Sequence, residues 1–259
     1  MPLLSYFDNL EPASEDAEIW RFLPIHFFED LMANEELHFT RADCFKQDEQ
    51  EGIPPEDYLR RVLNLQRFVL EDETELNHHL GTLSQDRLRY FVLCWHLHRH
   101  ETVKMWQGFA STGVAICSRY DLLKKVMSAM LDTTHLGLMR YGTQRLHQVG
   151  RYNVWQFINT KRHQYAGEQE VRAIIEGPFA GDNRHFDLNN HAHSRPLAEN
   201  PPPSWLQCYK RRRIDVSALV TGVVVSPFAS REVIETARHW VEDVNKLNCD
   251  VRRSNLTVN

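Results

Sequence analysis

The sequence predicts an α+β fold: one mixed domain with a central, largely antiparallel sheet and peripheral helices. Three observations predict it. Apolar runs of strand length, among them LRYFVLCWHL, GVAIC and EVRAIIE, recur between stretches whose apolar residues return at helical spacing. Strands and helices intermix without the regular alternation that marks a doubly wound parallel sheet. No linker long enough to divide the 259 residues is evident, so residues 19–259 read as a single domain behind an N-terminal extension, residues 1–18.

The elements follow in order. Residues 19–23 read as a short strand, Pro24 as a helix-starting residue, and Phe27, Phe28 and Leu31 as the apolar stripe of a helix. NEELHFT returns to strand, with Leu37 and Phe39 on one face and His38 and Thr40 on the other. RADCFKQDEQEGIPPED is polar and turn-rich, a loop. Residues 55–79 predict a helix, with Tyr58, Val62, Leu65, Phe68 and Val69 at helical spacing. LRYFVLCWHL is a buried strand, HETVKMWQGFA a short helix, GVAIC another strand, and SRYDLLKKVMSAML a helix with Ser118 as its N-cap. Residues 136–160 fit strand or helix. EVRAIIE is a strand, and the segment after it, through PPPSW, a long loop with room for one short strand. IDVSALVTGVVVSP predicts a strand, SREVIETARHWVEDVNKLN a capped amphipathic helix, and CDVRRSNL a last short strand.

Composition narrows the function classes. The chain is 42% hydrophobic and 25% charged, ordinary for a globular protein. A formal charge of -5 argues against broad nucleic-acid binding, although Lys210-Arg211-Arg212-Arg213 forms a local basic run. Five scattered cysteines, an odd count with no CxxC, suit reduced thiols in a cytoplasmic protein better than a disulfide framework or a zinc ribbon. The N-terminus has neither a basic start nor a sustained apolar segment, so no targeting peptide is expected there. No run approaches the roughly 18 apolar residues of a membrane span. Neither GxGxxG, GxxxxGK[ST] nor HExxH occurs.

Four groups of residues could carry chemistry. In KRHQYAGEQEVRAII, an extended chain would set Glu168, Glu170 and Arg172 on one face, with Val171 and Ala173 on the other. Two carboxylates on one face repel, and Arg172 beside them would partly neutralise the pair. Such a trio either tunes a carboxylate for work or ties the strand to a neighbour. Trp95 and Trp106 read either as core aromatics or as a wall for a flat ligand with Glu101 as its polar anchor. Arg21 is an isolated cation in the apolar IWRFLP, calling for a dedicated partner or a surface location. The histidines of HLHRH (His96, His98, His100) and NNHAHS (His191, His193) are structural or solvated, or else metal ligands; no carboxylate spacing supports a metal there.

Taken together, CWHLHRHETVKMWQGFASTGVAICSRYDLLKKVM, the arginine strand and acidic block of WRFLPIHFFEDLMANEELHFTRADCFKQDEQEG, KRHQYAGEQEVRAII, and IDVSALVTGVVVSPFAS with VRRSNL resemble, in order, the family catalogued as domain of unknown function 2971. The resemblance spans about residues 19–256, and FKQDEQEG departs from it by lacking the proline of the family's DPFEG block. It implies a mostly bacterial, soluble protein with some relatives among anti-phage defence genes. By a further analogy, Arg21, Thr40 and Glu170 are similar in type and order to the R-S/T-E layout of ADP-ribosyltransferases. That likeness implies an arginine binding NAD phosphates, a hydroxyl positioning the catalytic strand, and Glu170 stabilising the cationic transition state. Glu168 would be the first acid of an ExE pair that activates the acceptor, a nucleic acid or a protein. Trp95, Trp106, Glu101 and Arg172 would complete the NAD site. Two other classes stay open. One is a metal-dependent nuclease or phosphodiesterase using Asp48, Glu51, Glu168 and Glu170, with Lys161 or Arg172 stabilising the phosphoryl group. The other is a ligand-sensing or interaction module without chemistry.

Overall fold

The computed structural model describes residues 14–45, 90–97, 101–132, 134–142, 158–176 and 208–257, together with Pro12 and Arg87. Its strands, in chain order, are β1 (Glu18–Leu23), β2 (Glu36–Arg41), β3 (Tyr90–Leu97), β4 (Val114–Arg119), β5 (Thr134–Leu138), β6 (Arg140–Tyr141), β7 (Thr160–Lys161), β8 (Glu170–Glu176), β9 (Tyr209–Arg213), β10 (Gly222–Val225) and β11 (Asp250–Arg253). The helices are α1 (Ile25–Asn34), α2 (Val103–Phe109), α3 (Tyr120–Ala129), α4 (Val216–Leu219) and α5 (Arg231–Arg238), the last continuing as a π-helix over His239–Val244. Nine strands form one sheet, antiparallel except for the β10–β11 pair, while β6 and β7 form a small parallel ladder. The α+β architecture follows the sequence.

The sheet branches at β3. One edge of β3 pairs with β8 along its whole length, from Tyr90↔Glu176 to His96↔Glu170, and β5 pairs with the far edge of β8. The other edge is shared. β1 pairs with Trp20↔His96 and Ile19↔Leu97, whereas β2 pairs with Thr40↔Val92 and Arg41↔Phe91. Residues 93–95 of β3 lie between these contacts, with no strand paired to them on that edge among the described residues. β1 leads on to β4, β10 and β11, and β2 to the edge strand β9, so two arms diverge from one strand. The divergence is a fork.

Alternation divides the apolar residues between the two faces. Ile19, Leu93, Trp95, Ile116, Val171, Ala173 and Val223 join the main core, which α1, α3, α4 and α5 cover with Phe28, Leu31, Leu123, Val126, Leu219 and Ala237. On the opposite face Trp20, Phe22, Ala115 and Val224 pack against Met105 and Trp106 of α2. A third cluster on that face contains Tyr90, Val92, Ile158 and Ile174. The Thr102 side chain caps α2 by accepting from Met105 N, and Asp215 caps α4 by accepting from Ser217 N and Ala218 N.

Several local expectations change. Ser118 is not a cap: it lies in β4, and its buried hydroxyl donates to Leu219 O at 2.5 Å. The expected single strand at 214–227 is α4 followed by β10, because Asp215 starts a helical turn before the valine run. The basic run is itself a strand, β9. Cys44 and Cys208 form a disulfide with Cα atoms 5.9 Å apart, so the reduced-thiol reading holds only for Cys94, Cys117 and Cys249. The pairing is long-range, and cysteine spacing carried no sign of it. The expected helix at 55–79 and the NNHAHS segment lie outside the described residues.

Trp95 and Trp106 are both fully buried but occupy opposite faces of the sheet. Trp95→Ala and Trp106→Ala should each cost about 3–5 kcal/mol in urea unfolding through lost contacts and a cavity. Because the two sites share no cluster, the losses from Trp95→Leu and Trp106→Leu should add within roughly 0.5 kcal/mol in the double variant. Strong non-additivity would contradict the separation of the faces.

Candidate functional site

A cavity of about 260 Å³ opens at the fork, between the two smaller apolar clusters. Phe22, Leu23 and Phe109 wall one side, and Val92 and Phe45 the other. The polar lining comes from five strands: Arg21 from β1, His38 and Thr40 from β2, Cys94 and His96 from β3, Lys161 from β7, and Glu170 and Arg172 from β8. A second cavity of about 400 Å³ shares Arg21, Leu23, His38, Thr40 and Phe109 with the first and extends along Pro24, Phe27, Leu31 and Glu36. Arg21, Thr40 and Glu170, far apart in sequence, therefore border one cleft.

Glu170 is the most constrained group. It is 3% exposed, and Oε2 accepts from Arg172 Nε at 2.9 Å and pairs with Nη2 at 2.7 Å. Oε1 accepts from Lys161 Nζ at 3.1 Å, and the same ammonium donates to Glu168 Oε2 at 2.7 Å. Burial alone would raise the Glu170 pKa, but Arg172 and Lys161, with a smaller contribution from His96, overcome it and hold the group at about 2. Glu168 moves the other way: burial pushes its carboxyl up, against the pull of Lys161 and with the help of neighbouring Glu170. One carboxylate is locked ionised. In the other, burial opposes the charge that Lys161 favours.

The backbone explains how they meet. Glu168 does not share the strand face expected for it; it ends a 3₁₀ helix, His163–Glu168, and β8 begins only at Glu170. Gln169 adopts the left-handed conformation (φ 44°), which turns the chain between them. Tyr141 of β6 accepts a hydrogen bond from Glu170 N at 2.7 Å, fixing the strand start. Arg172 is clamped from behind by donating to Ile158 O at 2.7 Å, with Phe45 stacked 5.5 Å from its guanidinium. His96 Nδ1 stands 3.0 Å from Glu168 O. A carbonyl only accepts, so the proton resides on Nδ1.

Arg21 bridges the fork from the other side, its Nη2 donating to His38 O at 3.3 Å. Burial lowers its pKa to about 10, which leaves it cationic at neutral pH. Among the described residues Arg21 has no carboxylate at ion-pair distance, so the dedicated partner expected from IWRFLP is a backbone carbonyl. A cation held this way has capacity for an anionic ligand.

The remaining expected site residues stand apart. Trp95 and Trp106 form no joint wall and line neither cavity, since strand alternation sends Trp95 to the main core while α2 lies across the other face. Glu101 accepts from Trp106 Nε1 at 3.4 Å and from Arg252 at 3.0 Å, tying α2 to β11 away from the cleft. Among the described residues no three His, Cys, Asp or Glu side chains stand together as a metal site. Asp48, Glu51, His98, His100, His191 and His193 lie outside the described residues. Sequence reasoning missed His38, Cys94, Tyr141, Phe45 and Phe109 as parts of the site; only His38, opposite Leu37 and Phe39 in its strand, had a periodicity that pointed outward. No protein-family model matches the chain, and no curated protein or solved structure is significantly similar to it.

The Glu170 cluster should shape acid stability. Its pKa is lowered in the folded state, so the stabilisation is complete above its ordinary value of 4.5 and is lost as pH falls toward about 2. Glu170→Gln leaves two buried cations short of a partner and should cost about 3–5 kcal/mol near neutral pH. Thermal unfolding from pH 6 down to pH ~2.5 should show the wild-type and variant curves converging below the normal carboxylate range. A constant gap would mean that Glu170 is not held ionised.

Proposed function

We propose that the cleft at the fork binds NAD and that the protein is an NAD-dependent ADP-ribosyltransferase-like enzyme. The observation that carries this reading is the convergence of Arg21, Thr40 and Glu170, from three different strands, on one cavity. Arg21 offers its guanidinium to a phosphate, and Thr40 offers a hydroxyl beside it. Glu170 supplies a fixed negative charge where the ribose would acquire positive charge as its bond to nicotinamide breaks heterolytically. A carboxylate has about four acceptor sites, so three cationic contacts leave room for a ribose 2′-hydroxyl. The charge balance is also suitable. Arg21, Lys161 and Arg172 against Glu168 and Glu170 make the site one positive charge in excess, and NAD, with two phosphates and one pyridinium, carries one negative charge in excess.

In this reading Lys161 and Arg172 hold Glu170 ionised and in place, and Glu168 with its raised pKa receives the acceptor's proton. The likeness of Arg21, Thr40 and Glu170, in type and order, to the R-S/T-E layout supports the assignment. The setting in anti-phage defence rests on the likeness to the family of domain of unknown function 2971 alone; the cytoplasmic setting rests on the cysteine usage, and the Cys44–Cys208 disulfide counts against it. One observation favours a second reading: both Glu170 oxygens are already engaged by cations, as in a purely structural ion cluster. The cleft would then be an anion-sensing pocket without chemistry.

Calorimetry with NAD and an assay of NAD consumption decide between them. Arg21→Ala should weaken NAD binding about 10- to 100-fold, the value of a hydrogen bond to a charged group. Glu170→Gln, assayed at a temperature where circular dichroism shows it folded, should lose about 10²–10³ in turnover with a smaller change in binding. Thr40→Ala tests the same cleft without removing a buried charge. NAD binding without consumption would establish the sensing pocket, and a wild type that neither binds nor consumes NAD overturns the proposal.

A further inference from the structure

The run Lys210-Arg211-Arg212-Arg213 is sorted by β9 into two faces. Lys210 and Arg212 turn to one side, where both pair with Asp132. Tyr209, Arg211 and Arg213 are exposed on the other, and the register places them beside Thr40, His38 and Glu36 of β2, all three of which line the second cavity. The outward row of β9 thus continues the floor of the cleft to the edge of the sheet.

That row alternates rings and cations. Among the described residues only five large apolar side chains are exposed, and two of them, each at 46%, are Phe27, which lines the second cavity, and Tyr209, which the register sets beside Thr40. The His38 ring lies between them, stacked on Tyr209 at 6.0 Å and 12°, and edge-on to Phe27 at 6.3 Å. The Arg211 guanidinium sits 5.7 Å from the Tyr209 ring and touches Asp30 and Glu36 only at 3.7 Å. Arg213 makes no ion pair among the described residues. Aromatic platforms beside a loosely paired cation, Arg211, and one without an ion pair among the described residues, Arg213, suit a chain that carries flat bases on an anionic backbone, and the sequence tolerance of stacking suits single strands.

We propose that the outward face of β9, with Phe27, is a binding track for single-stranded nucleic acid, leading one base into the cleft. Bases stack on Tyr209 and Phe27, and phosphates meet Arg211 and Arg213. Its role as the acceptor track rests on the transferase reading; the binding itself does not.

Fluorescence anisotropy with a labelled single-stranded DNA or RNA of about 12 nucleotides, within the usual footprint range, tests the track. The same sequence as a duplex and an acidic peptide of equal charge serve as competitors. Tyr209→Ala should weaken binding about tenfold with an unchanged salt slope, as loss of one stacking contact does. Arg211→Gln and Arg213→Gln should each flatten the plot of log affinity against log salt by about 0.7. Glu36→Gln should tighten binding by removing a negative charge next to the track. Arg231→Gln, an exposed arginine on α5, should change nothing. Absence of binding at low salt, equal competition by duplex or peptide, or insensitivity to the Tyr209 and Arg211 changes overturns the inference. NAD consumption is measured separately. An NAD-inert protein that binds single strands refutes only the transferase reading, and NAD turnover with protein acceptors alone refutes only the acceptor role of the track.

Discussion

A strand has two edges, and β3 has three partners. With β8 occupying one edge completely, β1 and β2 must divide the other, and they do so at opposite ends. The space between them cannot close by backbone pairing, so it is filled by side chains or left open. Arg21 fills part of it by reaching from β1 to the His38 carbonyl of β2. What remains is the cleft. The lining residues on β1, β2, β3 and β8 are placed by this division, since His96 is set by its pairing with Trp20, Thr40 by its pairing with Val92, and Glu170 by the β8 ladder.

Burying Glu170, Arg172 and Lys161 together has a desolvation cost that only good geometry can offset. The structure supplies that geometry from independent elements. The small β6–β7 ladder brings Lys161 and Tyr141, the segment before it gives the Ile158 carbonyl, and the left-handed Gln169 sets the angle of Glu168. Apolar neighbours on both sides, from Phe22 to Ile174, keep the dielectric low, so each charge contact is strong and each missing one costly. The ensemble is rigid where it is charged. On the β2 side of the fork Thr40 offers its hydroxyl, and His38 is held by Asp30, its Nε2 2.7 Å from the carboxylate.

The sheet was legible wherever apolar alternation was strong. EVRAIIE, GVAIC and LRYFVLCWHL are strands because Val, Ile and aromatic residues fit a half-buried pleated surface, and their pairing only confirms the pattern. β9 was not legible, because YKRRR carries no apolar residue on either face beyond Tyr209 and is held by backbone pairing and by Asp132. The carboxylate cluster was half legible. Period-two spacing correctly joined Glu170 to Arg172, but a left-handed residue between Glu168 and Glu170 breaks the strand, and nothing in Gln169 announces that conformation. Lys161, nine residues from Glu170, could be placed only by the fold. The tryptophans mislead for a related reason: proximity in sequence said nothing about which side of a sheet the helix after β3 would cover.

The Cys44–Cys208 bond joins two points that the sheet already holds together, since Arg41 N donates to Cys208 O at 2.7 Å and β2 pairs with β9 up to that place. In covalent terms the chain is then a ring with two arms. The ring spans a sequence separation of 164 residues and contains β3, β8, Lys161, Glu168 and Glu170, while β1, β2 and β9 to β11 belong to the arms. Under non-reducing conditions one backbone cut anywhere inside the ring leaves a single covalent molecule, whereas one cut in either arm gives two, which part once the sheet is unfolded. Arg21 and Thr40 lie on the N-terminal arm and Glu170 on the ring. The cleft is therefore lined from both parts of one covalent molecule, by Arg21, Phe22, Leu23 and Thr40 of the arm and by Val92, Phe109 and Glu170 of the ring.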